Sequence, residues 1–198
     1  MTTSFKDKSG ILVRDQNRYR KVYRYIRKKP APLNCISSEL SVFTWGGYFV
    51  EFDNQTSLVH DFPCCFESPP AVIATTVSKG GSLSNFNTFV SSVTANQCTF
   101  ETSGYYTGYV YYQAIVDGVY SMPDIGRNLE VKTLSFSNTN TSTYTFTATF
   151  SCVPIVTATA DQDVNVFITA LSKTAVTVEV SQANYNGKVY IQAIEKGC

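Results

Sequence analysis

The chain repeats itself, and this constrains its fold more than any single motif does. Adding 84 to the positions of Phe52, Asn54, Phe62, Phe66, Pro70, Val72, Ala74 and Thr75 gives Phe136, Asn138, Phe146, Phe150, Pro154, Val156, Ala158 and Thr159, identical at every step. Near the end of each copy the offset falls to 79, where Tyr106-Thr-Gly-Tyr-Val-Tyr-Tyr-Gln-Ala-Ile115 and Tyr185-Asn-Gly-Lys-Val-Tyr-Ile-Gln-Ala-Ile194 share seven of ten residues. The first copy therefore carries about five extra residues, expected in the loop from Lys79 to Asn87, because loops absorb length changes better than strands.

From about residue 40 the chain consists of short runs of Val, Ile, Thr, Tyr and Phe divided by Gly, Asn, Asp, Ser and Pro, the pattern of strands and turns. In Thr143–Phe150, alternation predicts Tyr144, Phe146, Ala148 and Phe150 on the core side and threonines outside; Val176, Val178 and Val180 repeat the pattern. In the second copy the expected strands are 131–137, 142–150, 154–160, 164–171, 174–180 and 187–195. The reading is all-β: two tandem six-stranded antiparallel β-sandwiches, at 34–118 and 129–198, preceded by a basic arm over 1–33 and joined by a linker at 119–128, where Pro123 and Gly126 fall.

Charge separates the arm from the body. Residues 1–29 hold ten basic residues against Asp7 and Asp15, a net of +8, whereas residues 30–198 hold six basic and thirteen acidic ones, a net of −7. Such an arm suits an anionic surface or a self-repelling, solvated terminus. Tyr19, Val22, Tyr23 and Ile26 fall on one face of a helix that Pro30-Ala31-Pro32 would stop, although the same residues could pair as a strand. As partner-binding residues the arm offers these four apolar anchors with Arg18, Arg20, Arg24 and Arg27. No stretch has the roughly 18 to 20 consecutive apolar residues of a transmembrane segment, and the start lacks the pattern of a signal peptide. Synthesis in the cytoplasm is expected.

The segment Phe62-Pro-Cys-Cys-Phe-Glu-Ser-Pro-Pro-Ala-Val72 with Val110–Ile115, and Phe146-Thr-Ala-Thr-Phe-Ser-Cys-Val-Pro-Ile-Val156 with Val189–Ile194, resemble the H-type lectin domain. In that family a phenylalanine-rich strand runs into a Pro-Pro-Val type strand, and the last strand ends in a Val-aromatic-x-Ala-Ile-like sequence. The resemblance covers most of residues 45–198 and implies a six-stranded antiparallel sandwich whose sugar contacts come from loops and subunit interfaces. Tyr111 and Tyr190 stand where the family often has tryptophan. Similar sandwiches also build phage and large-virus particles, so the resemblance allows a non-lectin role.

Candidates for reactive chemistry are few. His60 is the single histidine, and a Cys–His nucleophile with Cys64 or Cys65 needs a thiolate that wall positions of a strand do not favour. No Cys-x-x-Cys pair suggests zinc and no Gly-rich loop suggests phosphate, so no metal, no cofactor and no catalytic residue is expected. Among six cysteines, reduced thiols are the default without a secretory route; the pairing considered is Cys64 or Cys65 with Cys98. Two functions follow. One is a non-enzymatic structural protein of a large assembly, such as a minor capsid, cement or appendage subunit of a virion. Its partners would be other structural proteins or further copies of itself, and its arm could also reach nucleic acid. The other is a carbohydrate-binding module, in which Asn85, Asn87, Tyr105, Tyr106, Asn184, Tyr185 and Asn186 stack on and hydrogen-bond to glycans.

Overall fold

A computed structural model describes residues 48–62, 66–79, 86–122 and 126–196. Every regular element among them is a strand: β1 (Tyr48–Asp61), β2 (Ala71–Ser78), β3 (Thr88–Val93), β4 (Gln97–Ile115), β5 (Gly118–Met122), β6 (Arg127–Phe136), β7 (Thr141–Thr145), β8 (Ile155–Ala160), β9 (Val166–Leu171), β10 (Ala175–Val180) and β11 (Gly187–Ile194). All pairings are antiparallel. No helix among the described residues is long and apolar enough to cross a membrane.

The sequence repeat is a repeat of hydrogen-bond register. Tyr48 pairs with Tyr112 and Phe52 with Gly108 in the first copy; Lys132 pairs with Ile191 and Phe136 with Gly187 in the second. Further along, His60 faces Cys98 as Tyr144 faces Val176, and Ala71 faces Ile115 as Ile155 faces Ile194. Even the irregularities recur. The left-handed backbone at Asn54 (φ 50°) returns at Asn138 (φ 54°), and the extra residue Ser91 in β3 returns as Thr169 in β9.

The offset is 84 through β2 and β8, 78 from β3 and β9, and 79 along β11. Its fall to 78 places six extra residues of the first copy between β2 and β3, in the expected loop. The later rise to 79 puts one extra residue of the second copy between Val180 and Tyr185. That residue has a visible effect. In the first copy β1 and β4 run unbroken over 14 and 19 residues, bending through irregular register between Phe52 and Ser57. In the second, the same paths are divided into β6 plus β7 and β10 plus β11.

Alternation does place Phe146, Ala148 and Phe150 in the core, as the sequence predicts, with Tyr144 partly buried beside them. The strand nevertheless stops at Thr145. The buried Glu130 carboxylate accepts from the Thr147 amide (2.9 and 3.0 Å), the Ala148 amide (2.9 Å) and the Tyr144 hydroxyl (2.7 Å), so those amides leave the ladder for a side chain.

The expected linker needs correction. Gly118–Met122 is β5, paired antiparallel with the start of β6, and Gly126, just before β6, has φ 59°. Residues Ser38–Cys198 form one compact unit. In the sheet β5-β6-β11-β8, the inner strand β11 is buried on both faces over Val189–Ala193, and β6 over Leu129–Val131. Val189, Ile191 and Ala193 of β11 point into the second core, whereas Tyr190 of β11 and Leu129 and Val131 of β6 complete the first.

Candidate functional site

Each copy is locked at one end by a tyrosine that the sequence reading offered to glycans. Tyr106 and Tyr185 are 3% and 0% exposed, so neither ring can stack on a sugar. Tyr106 packs against Phe52 and Phe86, and Tyr185 against Phe136. Each hydroxyl donates to the carbonyl three residues on: Tyr106 Oη to Tyr109 O (3.3 Å) and Tyr185 Oη to Lys188 O (2.9 Å). Tyr185 also donates to the Asp161 carboxylate. The glycines at 108 and 187 permit this, since a Cβ at either would lie 2.6 Å from the tyrosine Cζ. These residues are built into the core because a bulky phenol beside a glycine fills the sandwich end and satisfies a carbonyl there.

The remaining glycan candidates separate. Tyr105 is 72% exposed. Asn87 exchanges bonds with Ser103 through its backbone, and its side chain donates to Asp163 Oδ1 (2.8 Å). Asn186 accepts from the Asn138 amide (2.8 Å) and donates to Asn184 O (3.3 Å). Asn184 is exposed and Asn85 lies outside the described residues. The fold thus brings Asn87 and Tyr105 to one end of the first copy, and Asn184 and Asn186 to the equivalent end of the second. The arm residues Arg18, Tyr19, Arg20, Val22, Tyr23, Arg24, Ile26 and Arg27, with Cys64 and Cys65, also lie outside the described residues.

His60 lies opposite a cysteine across the ladder. Its register partner is Cys98, a free and buried thiol, so the pairing of Cys98 with Cys64 or Cys65 is corrected; Cys152 is the described cysteine that is disulfide-bonded. Burial pushes the Cys98 thiol up to about 12 and holds the His60 imidazole below its ordinary value, with Asp61 opposing the latter. Near neutrality both are uncharged, the opposite of a thiolate–imidazolium pair. Among the described residues no three His, Cys, Asp or Glu side chains gather as metal ligands.

What the structure does assemble is a docking surface between the copies, which sequence reasoning missed. The edge formed by β2 and β3 of the first copy abuts the outer face of the β5-β6-β11-β8 sheet. The Ala74 amide, on the free edge of β2, donates to Thr159 Oγ1 (3.1 Å), and the Asn87–Asp163 bond closes one end. Asp117 accepts from both the Thr133 amide and hydroxyl (2.9 Å each) and pairs with Lys132 at 3.4 Å. A cleft of about 250 Å³ remains between Pro69, Pro70 and Ser91–Val93 on one side and Thr133, Asp161, Lys188 and Tyr190 on the other. That is less than a typical small-molecule pocket, roughly 300 to 1,000 Å³. One clue was readable in sequence: β11 has apolar or aromatic residues at Val189, Tyr190 and Ile191 in succession, and a strand with only one buried face alternates instead.

A second surface carries aromatic residues in the open. Phe49 meets Tyr109 edge-on (centroids 5.3 Å) and Tyr111 at 5.6 Å. Lys79 lies 4.8 Å over the Tyr109 ring and is paired with Glu51. Compared with known proteins, the chain matches no family model, no curated protein and no solved structure.

Proposed function

We propose that the chain is a non-enzymatic structural protein of a large assembly, a virion component such as a minor capsid, cement or appendage subunit. In this reading two tandem six-stranded β-sandwiches form the body and the basic arm of residues 1–33 tethers it. The observation that carries the reading is the edge-on-face junction, where one copy already uses part of a sheet face as a protein-binding surface. The opposite charges of arm and body, +8 and −7, support a tether that orders on an anionic neighbour. The full chain is expected to co-purify with intact particles and to be released when residues 1–33 are deleted; retention of the shortened chain would overturn the tether. If the arm meets nucleic acid, binding of a peptide of residues 1–33 should weaken steeply from low to physiological salt, and a flat response removes that contact.

Carbohydrate binding is the second reading, favoured by the open ring of Tyr105 beside Asn87. A glycan array on the full chain separates the two: selective binding abolished by Tyr105→Ala supports a lectin, and a blank array opposes it.

A further inference from the structure

Because the repeats are equivalent residue by residue, each has the same two surfaces: an edge (β2 and β3, or β8 and β9) and an outer sheet face. Inside the chain, the edge of the first copy is seated on the face of the second. Among the described residues, that leaves the face of the first copy and the edge of the second without a partner, and the exposures record the difference. On the faces, Tyr190 is 5% exposed and its equivalent Tyr111 is 43% exposed. Thr159 and Gln192 are buried, whereas Thr75 and Gln113 are exposed. On the edges, Ala71 is 1% exposed and its equivalent Ile155 is 56% exposed; Val90 is buried and its equivalent Ile168 is open.

Both vacant surfaces carry exposed apolar side chains: the free face presents Phe49, Val77 and Tyr111 beside the Lys79–Glu51 pair, and the free edge presents Val153, Ile155 and Ile168. Large apolar side chains gathered on two surfaces of one molecule mark contact sites. We infer that the chain associates head to tail with further copies of itself, the β8–β9 edge of one docking on the β1-β4-β2 outer face of the next and repeating the contact already made within each chain. A second copy is the favoured occupant because only an edge of this shape is seen seated on this kind of face, and the two vacant surfaces are the complementary halves of that contact. Such a heterologous contact grows into rings where its rotation closes and into open filaments where it does not. The inference goes beyond the structural reading above and needs only the repeat geometry, so either can fail alone.

Sedimentation velocity on the full chain over a concentration series tests it, with a face variant, Tyr111→Asp, and an edge variant, Ile155→Asp. Both positions are exposed, and unchanged thermal melting would verify that each variant folds. The wild type is expected to grow with concentration, and each variant to associate about tenfold more weakly or worse. An equimolar mixture of the two should form a one-to-one dimer and nothing larger, because one free edge and one free face remain. A wild type that stays monomeric throughout, or variants that associate as it does, would overturn the inference. So would a mixture that remains monomeric while the wild type associates, since that result belongs to a symmetric contact. Association that appears only after deletion of residues 1–33 would give the vacant surface to the chain's own arm.

Discussion

The two copies have the same register, the same tyrosine–glycine clamp and the same bulge, yet they differ in what covers their outer sheet. In the second copy the central strands of that sheet, β6 and β11, are interior, with apolar side chains on both sides; in the first, the equivalent face stands open with its aromatic residues. Strand pairing is therefore local to each copy, whereas burial of the outer face depends on position in the stack. A repeat within a stack borrows core from its neighbour, and a terminal one cannot.

The comparison can be broken most forcefully at the clamps. Tyr106→Ala and Tyr185→Ala should each cost about 3–5 kcal/mol in urea unfolding, as for other buried aromatic truncations. The Phe variants should separate them. Tyr185→Phe loses a bond to the charged Asp161 carboxylate, whereas the Tyr106 hydroxyl bonds to backbone groups at Tyr109 and Val77, so Tyr185→Phe should cost about 1 kcal/mol more than Tyr106→Phe. Equal losses would mean that the carboxylate bond contributes nothing.

Next come the equivalent tyrosines of the outer faces. Tyr190→Ala opens the junction and should cost about 3 kcal/mol, while Tyr111→Ala should change monomer stability by less than about 0.5 kcal/mol. Similar values for the pair would sink the claim that the two faces have different surroundings.

Acid should act on the second copy through Glu195. Ser151, by side chain and backbone, holds the Glu195 carboxyl below its ordinary value, with the Asn128 amide assisting. A depressed carboxyl contributes its stability above the unfolded pKa and loses it as pH falls through the folded one. The melting temperature should thus decline on acidification, and Glu195→Gln should flatten that limb of the profile.

A modest effect is expected at Cys98, whose counterpart is Val176 in the same register. Cys98→Val should cost less than about 1.5 kcal/mol. The thiol itself should resist alkylation in the native protein and react on unfolding, because burial disfavours its thiolate.

The strands from 154 onward could be read from the sequence closely, since alternation and turn residues there agree with the fold: 174–180 was expected and β10 is Ala175–Val180. Where the reading failed, a long-range contact had intervened. Beyond the end of β7, the amides of Thr147 and Ala148, which alternation assigns to a ladder, bond to the carboxylate of Glu130, 17 and 18 residues earlier. Tyr106 and Tyr185 looked like loop aromatics because a tyrosine beside asparagine and glycine carries the same composition whether its ring closes a core or meets a ligand.

The order of residues along the chain already held the doubling, the all-β pattern, the site of the extra loop and the charge difference between arm and body. Each of these is written in spacing and composition, which pairing along the chain must obey. Tertiary structure alone decided that the copies share one compact unit, that a supposed linker is β5, and that of two equivalent tyrosines one is interior and one is at the surface. Side-chain pattern specifies which face of a strand is apolar; what comes to rest on that face is set by packing between elements far apart in the chain.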